Sequence, residues 1–104
     1  MKNFLILTEA GNKIGFGHLT RCQALYNQFK KKSYNVDLFV NLNDVVIENS
    51  VFDIVDWLDL QPSFFIDKYS VLIIDSYIVS ESWLSGFKDK NIIVVHIDDY
   101  NRIT

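Results

Sequence analysis

The chain has one cysteine in 104 residues. No internal disulfide can form, so nothing points to an oxidising compartment. Positive charge is not in excess: ten Lys and Arg stand against thirteen Asp and Glu, for a net charge of −3. Nucleic acid selects a basic face, and this balance argues against it as the main partner. No apolar run approaches the ~20 residues that span a bilayer. Met1-Lys2-Asn3 and the short apolar run after it lack the long apolar core and the small-residue cleavage site of a signal peptide. No internal repeat or low-complexity tract is visible. These absences together predict a soluble, cytoplasmic protein with no membrane partner. What is present is material for a core: 49% of the residues are hydrophobic and 14% aromatic. That composition excludes disorder and, at this length, predicts one small domain.

The chain reads as strands alternating with helices. Lys2 to Thr8 is a strand in which Phe4, Leu5, Ile6 and Leu7 are consecutive, as in a strand covered on both faces of a parallel sheet. Glu9 to Phe16 reads as a polar loop. Leu19, Cys22, Leu25, Tyr26 and Phe29 then recur at helical spacing from Gly17 to Lys32, which Lys30, Lys31 and Lys32 close. Val36 to Val40 is a second strand. Val45 to Asn49 is read as a short helix and Phe52 to Trp57 as a third strand. Pro62 starts a short helix carrying Phe64 and Phe65. Val71 to Ile74 is a fourth strand, Ser80 to Lys88 a helix capped by Ser80, and Ile92 to Ile97 the last strand. This alternation predicts an α/β fold with a parallel sheet and right-handed crossovers. No helix closes the last strand, and the expectation is the N-terminal part of a longer protein.

In such sheets ligands bind at the carboxyl ends of the strands, where strand order reverses. Three polar clusters follow strands: Gly15 to His18, Asp75 to Tyr77, and Asp98 to Tyr100. All three should open onto one edge. Gly15, Phe16 and Gly17 join a strand to a helix N-terminus, which favours an anion. The two glycines permit a tight turn and close ligand approach. His18 falls in the first helical turn. It is either a surface cap residue or a base, held neutral by the positive helix end and able to take a proton from water. Arg21 could reach a phosphate or a sugar acid, although an exposed helix face would leave it solvated. Asp75 either caps a turn or orients a neighbour, with Tyr77 pointing its hydroxyl into the cleft. Asp98 and Asp99 are turn residues or a magnesium site, but adjacent carboxylates on extended backbone diverge. No metal and no cofactor is therefore expected. A phosphoacceptor receiver domain carries paired acids after its first strand, where Thr8-Glu9 stands here, and needs a lysine after its last, which is lacking. Cys22 and His96 read as core residues.

Gly15-Phe16-Gly17-His18-Leu19-Thr20-Arg21-Cys22 resembles the N-terminal loop of the nucleotide-sugar hydrolases of pseudaminic acid biosynthesis and of related spore-coat polysaccharide proteins. Leu72-Ile73-Ile74-Asp75-Ser76-Tyr77 resembles the family's strand ending in Asp-x-Tyr, and Ile97-Asp98-Asp99 its later acidic pair. The resemblance implies a Rossmann-like domain, the N-terminal half of a two-domain glycosyltransferase (GT-B) type of fold. It implies release of UDP from a 2,4-diacetamido-2,4,6-trideoxy hexose, with His18 as the base and Tyr77 in the same cleft. A glycosyltransferase of the same architecture, or a binding module that has lost its partner domain, would carry the same motifs. The family's uridine contacts lie in a second, C-terminal domain, missing from this sequence. The lone chain is thus expected to be inactive, to bind UDP weakly and to self-associate through its sheet edge.

Overall fold

The computed structural model describes residues 3–49 and 51–97. Among the described residues the chain runs through five strands and three α-helices: β1 (Asn3–Gly11), α1 (Gly17–Lys31), β2 (Asn35–Asn43), β3 (Asp53–Ile54), α2 (Pro62–Lys68), β4 (Val71–Asp75), α3 (Glu81–Ser85) and β5 (Ile93–His96). The strands form one sheet in the order β3-β2-β1-β4-β5, with every pair parallel. This is the doubly wound, Rossmann-like arrangement. From β1 the chain builds outward through β2 to β3, then returns to the other side of β1 for β4 and β5. The reversal falls between β1 and β4.

The pleat sorts the consecutive apolar residues of each central strand onto two faces. Ile6, Ala10, Val71 and Ile73 pack with Leu19 and Cys22 of α1. Leu5, Leu7, Leu72 and Ile74 pack on the opposite face with Phe65 of α2, half-buried Trp83 of α3 and Phe87 just after α3. Trp57 belongs to this second cluster, and its indole N–H donates to the Thr8 carbonyl at 2.7 Å. Among the described residues no helix is long and apolar enough to cross a membrane.

Several boundaries differ from the sequence expectation. β1 continues past Thr8 to Gly11, so Glu9 lies in the central strand rather than in a polar loop. Its pairing with β2 runs the full length, from Asn3–Asn35 to Gly11–Asn43, and that ladder carries the strand past the apolar run. Val45 to Asn49 forms no helix. Two valines and an isoleucine in succession disfavour one, and the Asn49 side chain accepts from the Val51 and Phe52 N–H groups, fixing a turn instead. The third strand is only Asp53–Ile54, because Trp57 enters a single 3₁₀ turn, Trp57–Asp59, to reach the core. The helix after Ser80 ends at Ser85 rather than Lys88, although Ser80 caps it as expected, accepting from the Trp83 N–H at 3.1 Å. His96 is half-buried on the edge strand β5, and its Nε2 has no partner among the described residues; it is not the satisfied core histidine expected.

Candidate functional site at the strand-order reversal

β1 leaves the sheet through a tight loop. Gly11 and Gly15 exchange two backbone hydrogen bonds, 2.7 and 3.2 Å long, and pinch off the intervening Asn12, Lys13 and Ile14. Gly15 sits at φ +89°, a conformation that a side chain would strain. Gly11 must also be glycine: a Cβ there would lie 2.3 Å from the Asn43 carbonyl oxygen. The loop delivers the chain into α1 at Gly17. Phe16, at the cap position, offers no side-chain hydrogen bond, and the first turn holds no acidic residue. The positive end of a fifteen-residue helix is thus left uncapped. A Cβ built on Gly17 meets nothing within 4 Å, so the backbone here faces open space.

His18 is 6% exposed, and its Nδ1 lies 2.5 Å from Oδ1 of Asp75. Asp75 is the last residue of β4 rather than a loop residue beyond it, and it is fully buried. The pleat that points Val71 and Ile73 at α1 points Asp75 there too. Arg21, one turn after His18, closes a fork on the same carboxylate: Nε donates to Oδ2 at 2.7 Å and Nη2 to Oδ1 at 2.8 Å. Cys22 brings its Sγ to 3.6 Å from Oδ2. Burial alone would raise the Asp75 carboxyl, but the hydrogen bonds and charges of Arg21 and His18 hold it below the usual carboxylate range. Burial, then the Asp75 charge, pushes the Cys22 thiol up to about 12. Cys22 is therefore a protonated core residue, as expected.

An ionised Asp75 accepts from Nδ1–H of His18. With one proton held on Nδ1 in this way, a ring that carries no second proton has its lone pair on Nε2. Nε2 is buried and has no hydrogen-bond partner among the described residues. The ring of Tyr77 packs edge-on against the imidazole, with centroids 4.2 Å apart and planes at 79°. Ile14, Gly17, His18, Arg21 and Tyr77 line a small pocket of about 210 Å³. An imidazole oriented in this way at the mouth of a helix N-terminus can, in its unprotonated form, take a proton from a bound hydroxyl or water, while the helix end faces an anion. No group of three His, Cys, Asp or Glu side chains is placed to hold a metal ion among the described residues.

The sequence-predicted residues Gly15, Gly17, His18, Arg21, Asp75 and Tyr77 thus meet at one place, and Phe16 stands beside them, largely exposed, at the head of α1. Two roles change. Arg21 is committed to Asp75 rather than left to solvent, and it remains 49% exposed on its outer side. Tyr77 turns its ring to His18 rather than simply extending into a cleft. Asp98 to Tyr100, expected at the same edge, lie outside the described residues. Sequence reasoning missed the polar groups that brace the site. The Thr8 hydroxyl donates to the Asp75 carbonyl at 2.9 Å. Fully buried Glu9 accepts from the Tyr77 N–H at 2.8 Å and from the Ser76 hydroxyl. The available signal was that Thr8 and Glu9 follow an apolar run without a turn residue between.

Comparison with known proteins gives no match: no family model, no curated protein and no solved structure matches this chain. The geometry and the motif residues themselves carry the functional argument.

Proposed function

We propose that this chain is the base-bearing, N-terminal half of a nucleotide-sugar hydrolase that releases UDP from a 2,4-diacetamido-2,4,6-trideoxy hexose. The observation that carries the reading is the buried Nε2 of His18, without a hydrogen-bond partner among the described residues, backed by Asp75 and set beside the uncapped start of α1. In the proposed step His18 Nε2 takes a proton from water as the water oxygen bonds to the anomeric carbon. The bond from that carbon to the diphosphate oxygen breaks, and UDP leaves with the electron pair. Asp75 keeps the ring oriented and stabilises the imidazolium that forms. The helix end and the Gly15–Gly17 backbone face the negative diphosphate.

The dimensions support a shared site. A pocket of about 210 Å³ is small for a whole nucleotide sugar. One helix N-terminus contributes roughly 0.3–1 kcal/mol towards a charge, while even millimolar binding needs about 4 kcal/mol. The nucleoside is assigned to a second domain, as the GT-B resemblance implies.

The test is UDP release from UDP-sugars by the full-length protein, with and without acceptor alcohols. Hydrolysis without an acceptor is the expected result. Release only with an acceptor would turn the assignment to a glycosyltransferase, and release under neither condition would leave a binding module. His18→Asn is expected to lower kcat by ~10²–10⁴ with KM little changed. Near-normal turnover in that variant removes His18 from the mechanism.

A further inference from the structure

We infer that Glu9 is a positioning residue for Tyr77: from the opposite face of the sheet it holds the turn that sets the tyrosine ring against His18. This rests on the hydrolase reading only for its consequence in turnover, and the placement itself can be tested without any substrate. The last paired residues of β1 and β4 are Thr8 and Asp75. The next residues outward, Glu9 and Ser76, lie side by side, and the pleat turns them away from α1. One step of the ladder thus builds two polar pairs back to back. Asp75 reaches His18 on the α1 face, and Glu9 reaches Ser76 on the other.

Glu9 is 0% exposed and sits in the middle strand of the sheet. A carboxyl group in such a place is costly unless its oxygens are satisfied. Both are. Oε1 accepts from the Ser76 hydroxyl and Oε2 from the Tyr77 N–H. The Ser76 oxygen in turn accepts from the Ile78 and Val79 N–H groups, each at 3.1 Å. The whole Ser76–Val79 turn is therefore tied through one hydroxyl to one buried carboxyl on β1. Tyr77 itself is 45% exposed, too open for packing alone to fix its ring. Its backbone N–H bond to Glu9 fixes where the side chain starts, and the ring then meets the imidazole at 4.2 Å. Two buried acids thus divide the labour: Asp75 orients the base, and Glu9 orients what covers it.

The experiment uses the two histidines, His18 and His96. In a His96→Gln background only His18 reports. Proton NMR of the chain reads the contacts between the His18 and Tyr77 rings, and diethyl pyrocarbonate reads access to His18 Nε2. Glu9→Gln keeps the shape but places an N–H₂ where an acceptor is needed. The expected result is a folded chain that has lost the inter-ring contacts and whose His18 is carbethoxylated faster. Ser76→Ala, which leaves Glu9 in place, should show the same two changes to a smaller degree, and it decides the matter if Glu9→Gln does not fold. Unchanged ring contacts and unchanged reactivity in the folded variants overturn the proposal. If the placement changes as expected but the wild-type full-length protein releases no UDP, the hydrolase reading falls and the positioning role stands.

Discussion

The two ends of the sheet both carry polar side chains and both open into depressions, yet they are built differently. At the amino end Asn3, Asn35, Asp37, Lys68 and Tyr69 border a groove of about 610 Å³, much larger than the pocket beside His18. Its hydrogen bonds are exposed ones: Asn3 to the Lys68 carbonyl, Asn35 to Asn3, and the Tyr69 hydroxyl to Asp37 at 2.7 Å. Partial burial, then the neighbouring Asp37, pushes the Tyr69 phenol up, but water can replace Asp37 at little cost. At the carboxyl end Thr8, Glu9, His18, Asp75 and Ser76 are all buried. Buried polar groups are expensive to leave unmatched. Five of them gathered at one sheet edge, three on the side of the uncapped helix, mark this end as the candidate site, and groove size is the poorer guide.

The comparison can be broken most directly by mutating one acid at each end. Asp75→Ala deprives His18, Arg21 and Cys22 of their common partner. It should cost about 3 kcal/mol, the lower part of the range for a severed buried pair, because half-exposed Arg21 can turn to water. Urea denaturation measures it, and a loss below 1 kcal/mol would mean the cluster is not structurally coupled. The same cluster gives a sign for pH. The folded-state value of Asp75 is lowered, so its stabilisation is complete above the ordinary aspartate value of 3.8 and is lost as pH falls through the folded value. The stability gap between wild type and Asp75→Asn should be constant near neutrality and narrow below pH 3.8. A gap that widens in acid would show that the carboxylate destabilises the native state.

Gly17→Ala sharpens the contrast between ligand approach and folding. A Cβ there meets nothing, and glycine is a poor helix residue, so stability should hold or rise by up to ~0.5–1 kcal/mol. Substrate affinity of the full-length protein should fall, because the methyl group enters space beside His18. Calorimetric titration checks the binding, and unchanged affinity would move the ligand away from the α1 start. The smallest effect is expected at the other end of the sheet. Asp37→Ala should change stability by no more than ~0.5 kcal/mol and leave turnover unchanged.

Much of this was legible in the residues. Continuous apolar runs at β1 and β4, with helical spacing between Leu19 and Phe29, foretell a parallel sheet and its first helix. Gly15 to His18 and Asp75 to Tyr77 follow those strands and foretell a meeting point. The peripheral elements were less legible. Val45 to Ile47 carry no period, and Trp57 serves the core from a 3₁₀ turn, where a strand pattern cannot reveal it.

The sequence by itself determined which strands are buried on both faces and where the first helix begins, because these follow from apolar runs and local period. Only the tertiary structure decided the pairings. That His18 and Arg21 share the Asp75 carboxylate depends on which strand lies beside β1, and residues 54 to 57 positions apart cannot announce it. Whether Glu9 faces solvent in a loop or a buried partner in a strand depends on how far the β2 ladder extends β1. Period-2 alternation says that neighbours face opposite ways, but register alone says what each one meets.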